Sequence, residues 1–222
     1  MTPRTLLATA QIPGGGELRL MQRGADYMIL LDRNELMTTR MSGSEEALAT
    51  LTLDRVSASS PKVLIGGYGM GFTLRAALAK LGGQARVRVV ELVPEILDWA
   101  RGPMAELTAD GLSDPRVKVT LGDVADSIAG EAGTLDAILL DVDNGPDGIV
   151  RRGNDRLYSA RGLAVAKAAL APGGVLAVWS AAPDARFAQR LRDAGFAVEE
   201  VAVRARANGK GPQHVIWFAR NG

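Results

Sequence analysis

The chain has 222 residues, 47% of them apolar, a formal net charge of +1, one histidine and no cysteine. That length suffices for one well-buried domain with a small addition, and the near-neutral balance argues against bulk-charge recruitment of nucleic acid or acidic lipid. Disulfides and thiolate metal sites are excluded, and a single histidine makes a His-built metal site an unlikely design, so no metal is expected. No apolar run approaches the roughly 18 residues of a membrane span, and no compact apolar block marks a signal peptide; the sequence reads as cytoplasmic.

In chain order, "ELRLM", "YMILL" and "ELMTT" read as short strands separated by the turn chemistry of "RGAD" and "DRN". "SGSEEALATLTLDRV" offers Ser42 or Ser44 as the cap of a helix. From Pro61 strands and helices alternate. "KVLIGG", "ARVRVVEL", "RVKVTLGD", "LDAILLDV" and "VLAVWSA" are the strands. "TLRAALAKLG", "PEILDWARG", "VADSIA", "SARGLAVAKAALAPGG" and "ARFAQRLRDAG" are the helices, the fourth ended by Pro172 and Gly173. "FAVEEVAVRA" and "QHVIWFAR" flank "RANGKGP" as an antiparallel hairpin. This alternation implies a mostly parallel sheet covered on both faces. Residues 1–41 form a short β-rich segment and residues 42–222 the α/β domain.

Gly66, Gly67, Gly69 and Gly71 stand between the first of these strands and its helix. Glycines there let the backbone turn tightly and approach a ligand, with helix amides beyond. Alone they are equally a tight turn. The next strand ends in Glu91, twenty residues after Gly71, the spacing at which a carboxylate accepts ribose hydroxyls. Asp123 and Asp141 end the following two strands. Ligands of such folds sit beyond the carboxyl ends of the strands, so the four strand ends together imply a nucleoside site.

The "GD" after the third strand and the closing hairpin resemble the S-adenosylmethionine-dependent methyltransferase fold, and within it the spermidine synthase family. "VLIGGYGMGFTLR" is similar to that family's glycine motif, "VVELVPEIL" to its ribose-binding strand and "DPRVKVTLGD" to the segment whose Asp reaches the adenine. "LDAILLD" and "LYSARGLAVAKAALAPGGVLAV" resemble the fourth strand and the segment after the gate loop. The resemblance implies a Rossmann-like fold with a seven-stranded, mostly parallel sheet and a homodimer. It implies S-adenosylmethionine, or its decarboxylated form, held by the four glycines, Glu91, Leu92, Asp123, Val124 and Asp141. Asp141 is the expected catalytic group, and Asp143, Asn144, Tyr158 and Glu46 the expected acceptor contacts.

Departures from the family pattern fall near the acceptor. The acid that reads the free amine of decarboxylated S-adenosylmethionine is replaced by Gly69 or Met70, and the second Asp of the fourth-strand loop by Asn144. A gap-free match puts Glu45 and Glu46 where the family has Tyr followed by Gln or His. Aminopropyl transfer needs a base and a fixed anion for a diamine, whereas methyl transfer rests largely on in-line positioning. The first expectation is therefore methyl transfer to a small-molecule acceptor. Aminopropyl transfer is the alternative, since Asp143, Asp147, Glu45 or Glu46 could rebuild a diamine site, and a non-catalytic nucleoside-binding protein is the third reading. Trp179 is either an acceptor-pocket wall or packing, and Trp99 reads as core or adenine-side packing. His214 reads as a strand-end residue and otherwise as a proton carrier. Arg75 reads as a helix-surface ion pair, and the basic loops "RRGNDR" and "RARANGKG" as solvated.

Overall fold

The computed structural model describes residues 3–142 and 155–222. Four antiparallel strands come first, β1 (Thr5–Gln11), β2 (Glu17–Arg23), β3 (Asp26–Leu31) and β4 (Asn34–Thr38), paired in sequence order. The strand β1 was not legible beforehand. Its Leu6 and Leu7 are exposed and only Ala10 is buried, so "TLLATAQ" lacks the apolar alternation that marks a half-buried strand.

Helix α1 (Gly43–Leu53) leads into the α/β body. There β5 (Lys62–Gly66), α2 (Phe72–Lys80), β6 (Arg86–Glu91), α3 (Pro94–Arg101) and a one-turn α4 (Ala105–Thr108) precede β7 (Val117–Leu121), α5 (Val124–Ala129) and β8 (Leu135–Leu140). After residue 154 come α6 (Asp155–Tyr158), α7 (Ala160–Ala169), β9 (Leu170–Ser180), α8 (Ala185–Asp193), β10 (Phe196–Arg204) and β11 (Gln213–Asn221). The main sheet has the order β10-β11-β9-β8-β5-β6-β7. Strands β5 to β9 pair in parallel, and β11 enters antiparallel beside β9, with β10 at the edge.

Period-two alternation divides the core into two layers. Val63 and Ile65 of β5 face the layer under α1, α2 and α3, while Leu64 faces the layer under α5, α7 and α8. Trp179 and Ile216 join the first layer, Val178 and Trp217 the second. Helix α7 stops at Ala169, earlier than the run to Pro172 implied, and the chain is already extended at Leu170. A residue before proline is disfavoured in helical geometry, so the ending moves upstream of the Ala171–Pro172 pair. Arg75 also differs from expectation: its guanidinium donates to the Leu107 carbonyl and lies 5.9 Å from the Phe72 ring centroid. Among the described residues no helix is long and apolar enough to cross a membrane.

Trp217 anchors the second layer. It is fully buried, meets Phe187 edge-on at 5.0 Å, and donates through Nε1 to Glu200 at 2.9 Å. Trp217→Ala removes that packing and leaves a cavity, and is expected to lower unfolding free energy by about 3–5 kcal/mol in a urea titration.

Candidate active site

The carboxyl ends of β5, β6, β7 and β8 open into a cavity of about 190 Å³. Its rim is built by the chain reversals at those ends. Gly67 has φ +84° and also has no room for a side chain, since a Cβ would sit 2.4 Å from the Asp141 carbonyl oxygen; Gly69 has φ +55°, and a Cβ there would sit 2.8 Å from the Met37 sulfur. Both line the cavity, whereas Gly66 and Gly71 do not. Gly66 makes room for Val124, and Gly71 for the Tyr68 hydroxyl.

Glu91 lines the cavity and is only 8% exposed. Its Oε2 accepts the Tyr68 amide at 2.8 Å, and Oε1 accepts the amides of Leu92 and Val93 at 2.8 and 2.9 Å. Burial pushes this carboxyl up, and the amides pull it back toward the charged form. The carboxylate thereby holds the glycine loop and the start of α3 together. Asp123 caps α5 by accepting from the Ala125 amide at 2.8 Å, and Arg156 lies 3.1 Å from its other oxygen. Leu92, Val124 and Ile96 add apolar surface beside these acids.

Asp141 follows β8 and also lines the cavity, with Thr73 donating to its Oδ2 at 2.9 Å. Facing the same space is Glu45, buried in the first turn of α1. Burial raises Asp141 to about 6 despite the Thr73 hydrogen bond. Burial, and then the Asp141 charge, raise Glu45 to about 8. Two carboxyls that share a dry site resist ionising together.

The sequence-predicted acceptor contacts come together only in part. Glu46 is half-buried and does not line the cavity; one residue step on a helix is about 100° of turn, and it is Glu45 that faces in. Tyr158 is buried behind the rim, edge-on to Phe187 and 3.5 Å from the Val142 carbonyl oxygen. Asp143, Asn144 and Asp147 lie outside the described residues. Leu18, Ile29, Leu36 and Met37 of the small sheet, missed by sequence reasoning, form an apolar wall opposite the glycine loop. Their alternation signalled a buried face without indicating what it covers. Trp179 lines the cavity too, and its Nε1 is buried with no hydrogen-bond partner among the described residues. Among the described residues no group of three or more His, Cys, Asp or Glu side chains is arranged to hold a metal.

A sheet of this order, closed by an antiparallel hairpin and carrying a glycine loop with acids at successive strand ends, defines the Rossmann-like architecture of S-adenosylmethionine-dependent methyltransferases. The spermine/spermidine synthase domain matches residues 42–186, and the chain belongs to that family. It is 32% identical over 191 residues to a polyamine aminopropyltransferase of Mycobacterium tuberculosis strain H37Rv, covering 82% of this chain and 35% of that one. It is also 32% identical over 187 residues to polyamine aminopropyltransferase 2 of Streptomyces coelicolor, covering 79% and 33%. The chain thus spans about a third of the length of these relatives. The crystal structure of spermidine synthase from Thermotoga maritima superimposes with a TM-score of 0.78 at 18% identity, covering 98% of this chain and 72% of that one. A spermidine synthase bound to the transition-state analogue AdoDATO gives 0.77 at 18%, with the same coverage.

These comparisons overturn the expectation of methyl transfer, since the relatives named are aminopropyltransferases. That expectation rested on acids missing from the glycine and fourth-strand loops. Of the acids named as able to rebuild a diamine site, Glu45 is the one that α1 brings, buried, into the space beside Asp141.

Two outcomes follow. Asp141 and Glu45 hold protons in the folded chain that an unfolded chain releases near the ordinary 3.8 and 4.5. Their contribution to stability is therefore greatest below those values and is lost as pH rises to about 6 and about 8. Glu45→Gln should flatten that decline, gaining about 2–4 kcal/mol relative to the parent between the two ends of the window, read by urea unfolding at each pH. Glu91→Gln should lower nucleoside affinity by about tenfold to a hundredfold in calorimetry and also cost about 1–3 kcal/mol of stability, because an amide group now faces backbone donors.

Proposed function

We propose that the chain carries the catalytic domain of an aminopropyltransferase, which moves the aminopropyl group of decarboxylated S-adenosylmethionine to an amine acceptor. The observation that carries this reading is the pairing of Asp141 with Glu45 in an apolar cavity beside the glycine loop. The family and the relatives support it.

The residues present suit a nucleoside. A side chain at Gly67 would fill the cradle, where a Cβ would come within 2.4 Å of the Asp141 carbonyl oxygen. Glu91 would offer a carboxylate to the ribose, Asp123 and Val124 would hold the adenine, and Ile96 and Leu92 would give the base an apolar face; all five line the cavity. When bound, the nucleoside supplies a sulfonium-activated propyl carbon and a thioether leaving group. The protein's part is to prepare the amine. An acceptor ammonium is inert until it loses a proton, because its lone pair is otherwise engaged. The wall of Leu18, Ile29, Leu36 and Met37 excludes water from that ammonium and so lowers its proton affinity. Asp141, ionised at neutral pH with one oxygen fixed by Thr73, accepts the proton. The unpartnered Trp179 Nε1 is a donor to whatever acceptor atom the substrate brings.

Incubation with putrescine and decarboxylated S-adenosylmethionine is expected to release methylthioadenosine. Asp141→Asn should cut kcat by about a hundredfold or more while nucleoside affinity stays within about threefold. No methylthioadenosine across a panel of di- and polyamines would remove the proposal.

A further inference from the structure

The buried acid Glu45 begins a chain of hydrogen-bonding side chains that ends on a partly exposed ring. Ser44 is fully buried, and its Oγ lies 2.6 Å from Glu45 Oε2 and 2.9 Å from His214 Nδ1. His214 is half-buried at the start of β11, edge-on to Trp179 at 4.8 Å. The three groups form an unbroken file from the cavity acid, through a buried hydroxyl, to a partly exposed imidazole. Helix α1 is locked in this position by its first residue. The Gly43 amide donates to the Ala205 carbonyl at 2.9 Å, and a Cβ on Gly43 would sit 2.4 Å from the Arg206 carbonyl carbon.

We propose that Glu45, Ser44 and His214 are a proton relay that empties the Glu45 carboxyl toward solvent while the acceptor occupies the cavity. The assignment of an acceptor to that cavity rests on the aminopropyl-transfer reading; the relay itself rests on the file of hydrogen-bonding atoms. At neutral pH Glu45 is protonated and useless as an anion for an ammonium group, while Asp141 is charged. Discharge through the relay balances as follows. Glu45 Oε2 gives its proton to Ser44 Oγ, the Ser44 hydroxyl proton passes to His214 Nδ1, and the His214 Nε2 proton leaves to water. No heavy atom need move, because a hydroxyl donates and accepts at the same distances in both patterns. The end state is a Glu45 carboxylate accepting from Ser44, which accepts from Nδ1–H. Burial lowers His214, which keeps the ring neutral and able to receive at Nδ1. The charged groups acting on Glu45 are Asp141 from β8 and Glu46 from its own helix, and both favour its protonated form in the empty cavity. An entering ammonium reverses that preference, since an opposite charge stabilises the carboxylate. The relay then supplies the route by which the displaced proton leaves without crossing the substrate.

His214 is the single histidine of the chain, so its ring nitrogens give unambiguous signals in ¹⁵N NMR. In the parent protein the relay requires His214 to pass from the Nε2–H to the Nδ1–H tautomer as pH rises through the Glu45 value of about 8. Ser44→Ala should abolish that tautomer change, and Glu45→Gln should abolish it while leaving Ser44 in place. Ser44→Cys, with a weaker donor of similar size, should weaken it, which guards against a misfolded alanine variant. A single His214 tautomer throughout the titration of the parent, or an unchanged switch in folded Ser44→Ala, overturns the relay. These readouts need no turnover, so failure of aminopropyl transfer and failure of the relay are separate results. Where methylthioadenosine release is measurable, Ser44→Ala should lower kcat by about tenfold, with KM for the nucleoside unchanged and the pH–rate profile displaced.

Discussion

The carboxylate of Glu91 is the tie on which the glycine-loop edge of the sheet depends. Three backbone amides, those of Tyr68, Leu92 and Val93, converge on its two oxygens. The first belongs to the loop after β5, the others to the turn that enters α3. Neither segment has regular partners for those amides, and a buried amide without an acceptor costs free energy comparable to a lost hydrogen bond. One side chain thus satisfies two turns and fixes their separation. The positive φ of Gly67 and the close approach of that loop to the Asp141 carbonyl are consequences of the same geometry.

Helix α1 is the second organising element, and it acts by position. It packs against α2, β8 and β9 in the first core layer, where Leu48 and Ala49 are wholly buried, and its first turn reaches both the glycine helix and the C-terminal hairpin. Thr73 of α2 links the two acids, bonding to Asp141 Oδ2 at 2.9 Å and lying 3.4 Å from the Glu45 carbonyl oxygen. On the other side Gly43 is held by Ala205. A buried carboxyl is tolerable here because it can stay neutral, with Ser44 as its hydrogen-bond partner. The apolar wall from β2 to β4 completes the enclosure. The cavity thus has a dry surface on one side and two titrating acids on the other.

Local chemistry made much of this legible. The glycine run, Glu91 at its spacing and the strand-end Asp residues each depend on a few neighbouring residues, so their pattern survives in one dimension. The alternation of strands and helices specified a parallel sheet for a similar reason. Other readings failed where proximity in space decided the matter. Glu45 and Glu46 are adjacent in sequence, and only the rotation of α1 separates a cavity acid from a half-exposed one. Nor could the sequence show that Met37, from the other sheet, fills the space beside Gly69.

By itself, then, the sequence determined the fold class, the family and which polar residues end successive strands, because period and spacing encode which side of a sheet or which end of a strand a residue occupies. Tertiary structure alone decided which residues face the cavity from α1 and the small sheet. Ser44 and His214 are separated by 170 positions and meet because β11 runs antiparallel beside β9, opposing Ile216 to Trp179 and carrying His214 back to the edge where α1 begins. Contacts of that kind depend on the closure of the whole sheet, and their energies enter only when distant segments are brought within a few ångströms of each other.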